Sequence, residues 1–316
     1  MGVKAIDVGV VGVGHLGQHH ARLYAAAAGA RLVGVADRDA DRAAEIAKRF
    51  DCRAFDSAEE LAREVRAASV AVPTEDHAAV ACALLERGVD VLIEKPLARS
   101  LDEADAINGA AAKHDRLVMV GHTERFNPAV QALTRAVDAP RFFEIHRLAS
   151  FSARSTDIDV VLDLMIHDLD LLLHLDGSPV ASVDAVGVSA LTDKVDIANA
   201  RIRLASGCVA NITASRVSAD PVRRVRVFQA RTYLSCDTGK RVVERYRLAF
   251  GEGGVPEIRH DRLPVEDGEP LALELEAFLR AVAERSRPPV DGGQGRRALE
   301  LAYRVRDAIR DAPPGP

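Results

Sequence analysis

The sequence predicts a two-domain protein: a doubly wound parallel α/β sheet, then an α+β domain with a mostly antiparallel sheet. Three observations carry this prediction. Over residues 5–122, short β-branched runs alternate with Ala-rich amphipathic stretches, which is the pattern of strands joined by crossover helices. Those strand runs are apolar throughout, as a sheet covered on both faces requires. Beyond residue 122 the texture changes to longer alternating runs joined by hairpin turns. The expected domains are therefore 1–122 and 123–316, with the C-terminal helices packing back on the first domain.

Each element follows in order. "AIDVGVVG" reads as a strand and "LGQHHARLYAAAA" as a helix; "RLVGVAD" is a strand and "DADRAAEIAKRF" a helix capped by Asp39. "SAEELARE" is a short helix, "ASVAVP" a strand, and "DHAAVACALLERG" a helix ending at Gly88. "DVLIEKP" is a strand, "SLDEADAINGAAAKHD" a helix and "LVMVGH" a strand. The second half begins with "RFFEIHRLASF" and the helix "DLMIHDLDLLLHL". Alternating runs follow in "SVDAVGVSAL", "DIANARIRLASGCVANITASRV", "RRVRVFQARTYLSCDT" and "KRVVERYRLAF", turning at Ser206-Gly207 and Thr238-Gly239. Two amphipathic helices around a Gly/Pro break close the chain, and the tail "DAPPGP" is expected to fray.

Composition limits the function. Of 316 residues, 48% are apolar and 28% charged, the profile of a soluble globular protein. A formal net charge of −5 argues against nucleic acid or an anionic membrane as the main partner. Four well-separated cysteines (Cys52, Cys82, Cys208, Cys236) read as buried reduced thiols of a cytoplasmic protein, with neither disulfides nor a metal site. The N-terminus lacks the pattern of a secretory signal. Gly2 invites a myristoylation reading, which the early entry into a strand discounts.

The first chemistry lies in the glycine loop. Gly12, Gly14 and Gly17 form GxGxxG directly after a strand and before a helix. The first permits the tight turn, the second lets backbone approach a pyrophosphate, and the third lets helix pack on strand. His15 and Leu16 complete the loop, whose N–H groups are expected to hold the pyrophosphate. Asp37 ends the second strand, twenty residues past Gly17, where a carboxylate can accept from the adenosine ribose hydroxyls. A carboxylate there repels a 2′-phosphate and favours NAD. Arg38 next door could pair with that phosphate, so NADP stays open. The expected fold of this half is the Rossmann type.

The second chemistry lies at Glu94-Lys95-Pro96, which ends a parallel strand. Ligands of doubly wound sheets bind at the carboxyl ends of strands. Lys95 is one of only six lysines in a chain that otherwise uses Arg for surface charge. The third lies in "DLMIHDLDLLLHL". Wound at 3.6 residues per turn, Asp163, His167, Asp170 and His174 fall in one stripe. Residues 155–193 contain no Lys, Arg or Glu, so the stripe reads as a half-buried cleft wall rather than a solvent face. At about 1.5 Å per residue, Asp163 and His167 stand roughly 6 Å apart along the axis and can meet one ligand. Asp170 could orient His167, His174 reads as structural, and Asp168 projects off the stripe to cap or meet solvent.

Together, GxGxxG, "EKP", "VGHTERFNPAV" and the Asp163-x-x-x-His167-x-x-Asp170 helix resemble the glucose–fructose oxidoreductase/inositol dehydrogenase (Gfo/Idh/MocA) family over nearly the whole chain. The resemblance implies a Rossmann domain and an α+β domain on a large open sheet. That sheet commonly forms the subunit interface, so a homodimer or homotetramer is expected. It also implies bound NAD(P) and a sugar or cyclitol substrate. The family's lysine falls on Lys95 and its Asp/His pair on Asp163 and His167. Pro73, Thr74 and His77 match its nucleotide-contacting loop, and Glu94 its segment near the nicotinamide ribose. "GHTERFNPA", "DLMIHDLDLLL" and "NITASRVS" look most like family members that oxidise the 3-hydroxyl of a nucleotide sugar such as UDP-N-acetylglucosamine. Arg125, Asn127 and Arg216 are then candidates to hold that substrate.

The expected reaction is reversible oxidation of a ring alcohol. His167 takes the hydroxyl proton, Lys95 donates to the same oxygen, and Asp163 fixes orientation. Whether Lys95 or His167 is the base stays open. So do other readings: a dehydrogenase of a free sugar or inositol, a keto-sugar reductase, an NAD-dependent glycosidase, and a non-catalytic NAD-binding sensor.

Overall fold

The computed structural model describes residues 5–151 and 158–311. The chain divides into two units, Met1–Thr123 with Glu269–Leu299, and Glu124–Gly268 with Glu300–Pro316.

The first unit is built on six parallel strands: β1 (Ile6–Val11), β2 (Ala30–Ala36), β3 (Arg53–Phe55), β4 (Ala67–Val70), β5 (Asp90–Glu94) and β6 (Val118–Gly121). Their order is β3-β2-β1-β4-β5-β6, so the direction of winding reverses beside β1. The crossover helices are α1 (Gly17–Ala26), α2 (Ala40–Arg49), α3 (Ala58–Leu61), α4 (His77–Glu86) and α5 (Leu101–His114). Asp39 caps α2 by accepting from the Arg42 N–H, as the sequence predicts. Strand β3, a three-residue edge, lacks any alternation long enough to read in advance.

The return of residues 269–299 to this unit has specific causes. Helix α8 (Pro270–Glu284) buries Leu275, Phe278 and Val282. Just after it, Arg285 donates to both oxygens of the fully buried Asp90 at 3.0 Å. Val120 of β6 donates to the Val290 carbonyl at 2.9 Å, extending the hydrogen bonding beyond the sheet edge. A division by sequence alone at residue 122 counts these residues with the second half. Helix α9 (Gly292–Asp311) is counted with the first unit as far as Leu299.

The second unit carries an eight-stranded sheet of β7 (Phe142–Leu148), β8 (Val180–Val188), β9 (Ile197–Leu204), β10 (Val209–Ser215), β11 (Val222–Gln229), β12 (Thr232–Asp237), β13 (Val242–Phe250) and β14 (Pro256–Arg262). Its order is β14-β13-β12-β11-β7-β10-β9-β8. Every pairing is antiparallel except β7 with β10. Alternation sorts the two faces: Phe143 and Ile145, Ala200 and Ile202, Val225 and Val227, and Leu234 and Cys236 are buried. Helix α6 (Pro128–Ala136) packs on β12 and β13, and α7 (Ile166–Asp176) on β7. No described helix is long and apolar enough to cross a membrane. The four cysteines carry no disulfide; Cys208 and Cys236 are buried, whereas Cys52 and Cys82 are only half-buried.

Candidate active site

In the first unit, the glycines perform separable tasks. Gly12 holds φ +83°, and a Cβ there would stand 2.7 Å from the Ala71 backbone. A Cβ on Gly17 would come within 1.8 Å of the Gly12 carbonyl oxygen. Gly14 is different: its Cβ would meet only the Arg42 guanidinium, at 3.9 Å. The loop is thus tight where it turns and open where a ligand would approach. Leu16 precedes α1 without offering a side-chain cap; Gln18 and His19 donate back to the Gly14 and Leu16 carbonyls, so an anion would be met by the loop N–H groups ahead of them.

Asp37 is mostly buried and does more than its sequence context suggests. One carboxylate oxygen accepts from the Val13 N–H at 2.8 Å, the other from the Asp39 N–H at 2.9 Å. It therefore fastens the glycine loop to the end of β2, with lone pairs remaining for ribose hydroxyls. Arg42 reaches Asp37 at 3.5 Å and Asp39 at 2.9 Å. A cleft of about 560 Å³ opens here, lined by Gly12, Gly14, His15, Leu16, Asp37, Arg38 and Pro73 among the expected residues, and also by Arg42, Ser57 and Asp76. The volume, the open Gly14 and the uncapped helix fit a dinucleotide. Arg42 of α2, Ser57 at the cap of α3 and Asp76 lie outside the expected set, because helical periodicity gives no signal of which loop a polar side chain will face.

Thr74 begins a 3₁₀ turn, Thr74–Asp76, ahead of α4. His77 follows it and is buried. Its Nδ1 lies 2.9 Å from the Pro96 carbonyl and its Nε2 3.0 Å from the Val72 carbonyl. Burial pushes its pKa down against the opposing pull of those carbonyls and of Glu94. It thus lies between backbone carbonyls on both sides, and the neutral ring donates to one of them. The Lys95–Pro96 peptide is cis, and Lys95 is half-buried. Glu94 is buried and accepts from His20 Nε2 at 2.9 Å. Burial alone would raise its carboxyl. The hydrogen bond from His20 and the adjacent Lys95 charge outweigh it, so Glu94 stays below the ordinary carboxylate range.

In the second unit, the sequence reading of one continuous α-helix needs correction. The segment opens as a π-helical turn, Val161–Met165, and becomes α-helical only at Ile166. Asp163 lies inside that turn, so its spacing to His167 is not a simple α-helical step. The turn is pinned: Asp159 accepts from the Val161 and Leu162 N–H groups, and Val160 donates to the Val195 carbonyl at 3.0 Å. Asp163 and His167 are both half-buried, as expected of a cleft wall.

Their neighbours hold the helix. Asp168 neither caps nor meets solvent: it is buried in a two-pronged pair with Arg147 of β7 at 2.8 and 2.9 Å. Burial would lower the Arg147 pKa, but Asp168 and Glu124 more than reverse this and keep it charged. Asp170 is likewise gripped by Arg125, at 2.7 and 2.5 Å. His174 is exposed and lies 3.4 Å from Arg125 Nη1. Partial burial, then the Arg125 charge, lower its pKa.

The three residues expected on the substrate side have fold partners. Arg125 is buried with Asp170. Asn127 caps α6 through the Ala129 N–H and donates to the Thr238 carbonyl at 3.0 Å. Arg216 donates to Asp196 at 2.9 Å and to the Ile158 carbonyl at 2.7 Å. Asp196 is buried and also accepts three N–H groups, from Ala190, Leu191 and Thr192. Arg216 thereby anchors the lead-in to the segment carrying Asp163 and His167.

Comparison with known proteins agrees with this architecture. Residues 6–122 match the oxidoreductase family with an NAD-binding Rossmann fold, and residues 134–239 match the GFO/IDH/MocA C-terminal domain. The chain is 46% identical over 303 residues to UDP-N-acetylglucosamine 3-dehydrogenase of Acidithiobacillus ferrooxidans, covering 95% of this chain and 96% of that one. A solved structure of that enzyme superposes with a TM-score of 0.92 at 45% identity, over 97% and 98% of the two chains. Inositol 2-dehydrogenase of Rhizobium meliloti is 28% identical over 316 residues, 94% of each chain. Levoglucosan dehydrogenase, solved in complex with NADH and levoglucosan, shares the fold at a TM-score of 0.87 and 21% identity, over 97% and 98% of the chains. The chain belongs to the Gfo/Idh/MocA family of NAD-binding oxidoreductases.

Proposed function

We propose that the protein oxidises the 3-hydroxyl of a nucleotide sugar of the UDP-N-acetylglucosamine type. One observation carries this reading: 46% identity to the enzyme of that name, spread over 95% of this chain and 96% of that one. The residues the chemistry needs are all present as Lys95, Asp163 and His167.

His167 accepts the hydroxyl proton, and imidazole titrates near the pH at which such a base must work. Lys95 donates to the same oxygen and stabilises negative charge as it develops. Asp163 accepts from a neighbouring sugar hydroxyl and fixes the ring. Gly12, Gly14, His15, Leu16 and Asp37 hold NAD, and Arg38 with Arg42 supply cations beside the ribose. When bound, NAD supplies the hydride acceptor. Arg125, Asn127 and Arg216 serve the substrate through the segments they hold. The protein works as a homodimer or homotetramer through the open face of its large sheet, in the cytoplasm.

The test mixes purified protein and NAD or NADP with UDP-N-acetylglucosamine, glucose, inositol or glucose 6-phosphate and follows NADH absorbance, with an aminotransferase coupled to draw off the keto product. Signal only with the nucleotide sugar supports the reading; signal only with inositol overturns it. His167→Ala and Lys95→Ala should each lower turnover by about 10²–10⁴-fold while NADH binding, read by fluorescence, is retained. Wild-type turnover in both variants would remove these residues from the mechanism.

A further inference from the structure

We propose that His20 is a positioning residue for Lys95: at the centre of a buried donor chain Tyr24–Ser69–His20–Glu94, it ties the helix behind the glycine loop to the strand end that carries the lysine. The proposal rests on the reading of Lys95 as a catalytic group.

Tyr24, Ser69 and His20 are fully buried, and Glu94 is 7% exposed. Buried polar groups on this scale persist only when their hydrogen bonds close. A carboxylate can only accept, so His20 Nε2 carries the proton and donates to Glu94 at 2.9 Å. In the neutral ring, Nδ1 then accepts from the Ser69 hydroxyl at 3.0 Å. Ser69 in turn accepts from the Tyr24 hydroxyl at 2.9 Å. Every proton in the chain is directed toward Glu94. His20 and Tyr24 stand one turn apart on α1, so a single helix face supplies both ends of the Ser69 contact.

The surroundings are shaped to admit this chain. Glu94 pairs with Gly121 across β5 and β6, and a Cβ at 121 would stand 3.3 Å from the Glu94 carboxyl carbon. Among the charged and titratable neighbours are Lys95 and His77 beside Glu94, and Glu274 of α8 beside Tyr24. Lys95 therefore lies between two anchored residues. Glu94 is fixed by His20 from α1, and Pro96 by His77 from α4. The helix that receives the dinucleotide phosphates and the turn that presents the lysine become one mechanical unit.

The test uses the full-length protein with His20→Leu, which breaks the chain, and His20→Gln, whose amide can both donate to Glu94 and accept from Ser69. The activity-free reading is the rate at which trinitrobenzenesulfonate modifies Lys95 at fixed pH, resolved from the other lysines by mass spectrometry. His20→Leu should raise that rate about fivefold, the size of one lost hydrogen bond. It should lower kcat about tenfold while KM for NAD stays within about twofold. His20→Gln should return both toward wild type. If His20→Leu does not fold, Ser69→Ala should shift both readings in the same direction by a smaller factor. Folded His20→Leu with wild-type labelling and kcat overturns the proposal, as does failure of His20→Gln to restore either. If the wild-type protein oxidises no sugar in the panel, the functional reading fails, while the labelling still decides whether His20 positions Lys95.

Discussion

At the residue scale, the glycine loop was legible because its constraints are local. Gly12 and Gly17 are demanded by backbone lying 2.7 and 1.8 Å from where a Cβ would be, and Gly14 by the open space before it. The two kinds of demand predict different failures. Gly17→Ala forces the loop off the helix and should lower stability by about 1–3 kcal/mol, read by urea unfolding. Gly14→Ala should unfold with the wild-type midpoint yet weaken NADH binding about tenfold, read by fluorescence titration. Equal loss of stability in the two variants would show that both glycines serve the fold alone. What the sequence does not reveal at this scale is where a polar side chain spends its bonds. Asp37 reads as a ribose acceptor, and the two N–H groups it already binds are invisible without the fold. His77 reads as a nucleotide contact, and the Val72 and Pro96 carbonyls against its ring nitrogens cannot be read from the sequence. Arg125 and Arg216 read as available cations and are buried with carboxylates, because an arginine's partner is chosen by tertiary structure rather than by its neighbours in sequence.

At the scale of elements, the strands and helices of the first unit follow their apolar period closely, since a parallel sheet buried on both faces leaves little latitude. The helix bearing Asp163 and His167 shows where that logic stops. Periodicity gives the apolar face and the half-burial of Asp163 and His167, but not the burial of Asp170 or the exposure of His174. It could not show the π-helical turn, which depends on Asp159, Val195 and Arg216 pinning the lead-in from elsewhere in the second unit. Nor could it show that Asp168, off the stripe, is buried, because the compensating cation comes from β7, twenty-one residues away. Strand β14 and helix α6 likewise lie outside the elements expected from the sequence. That pairing of Arg147 with Asp168 is what seats α7 on the sheet. Arg147→Met leaves Asp168 buried without its partner and should cost about 3–5 kcal/mol. Arg147→Met with Asp168→Leu should recover part of that loss, since an apolar pair of similar volume needs no compensating charge while Glu124 still loses its bond from Arg147. Urea unfolding with unchanged m-value measures both. A double variant no more stable than the single one would mean that shape, rather than charge, seats the helix.

At the scale of the whole molecule, the second unit leaves one face of its sheet with no described helix covering it, and that face is not ordinary surface. Phe142, Phe228, Tyr233, Tyr246 and His260 are directly opposed from strand to strand across β7, β11, β12, β13 and β14. The rings of Phe228, Tyr233, Tyr246 and His260 stack with centroids 4.4–5.3 Å apart, and Phe142 meets Phe228 at a tilt, 5.7 Å away. Beside this row, Leu248 is opposed to Ile258 and Phe250 to Pro256, with Ile258 68% and Phe250 54% exposed. An apolar, aromatic band of this extent is rare on a monomer and common at the buried centre of a subunit interface. A second copy of the chain, related by a two-fold axis, would cover it with the same band. The expected consequence is that the protein at micromolar concentration scatters light as a dimer or tetramer. Tyr246→Lys removes a ring from the middle of the row and puts a hydrated ammonium in its place. It should weaken association by about thirtyfold or more, as loss of a central aromatic anchor does. The isolated fold should survive, because Tyr246 is only half-buried within one chain and its neighbours on the opposite face of β13 are untouched. Light scattering across a dilution series, with circular dichroism to verify folding, measures the effect. A wild-type protein that remains monomeric, or a variant that associates as the wild type does, would assign the aromatic row to stiffening the sheet rather than to assembly.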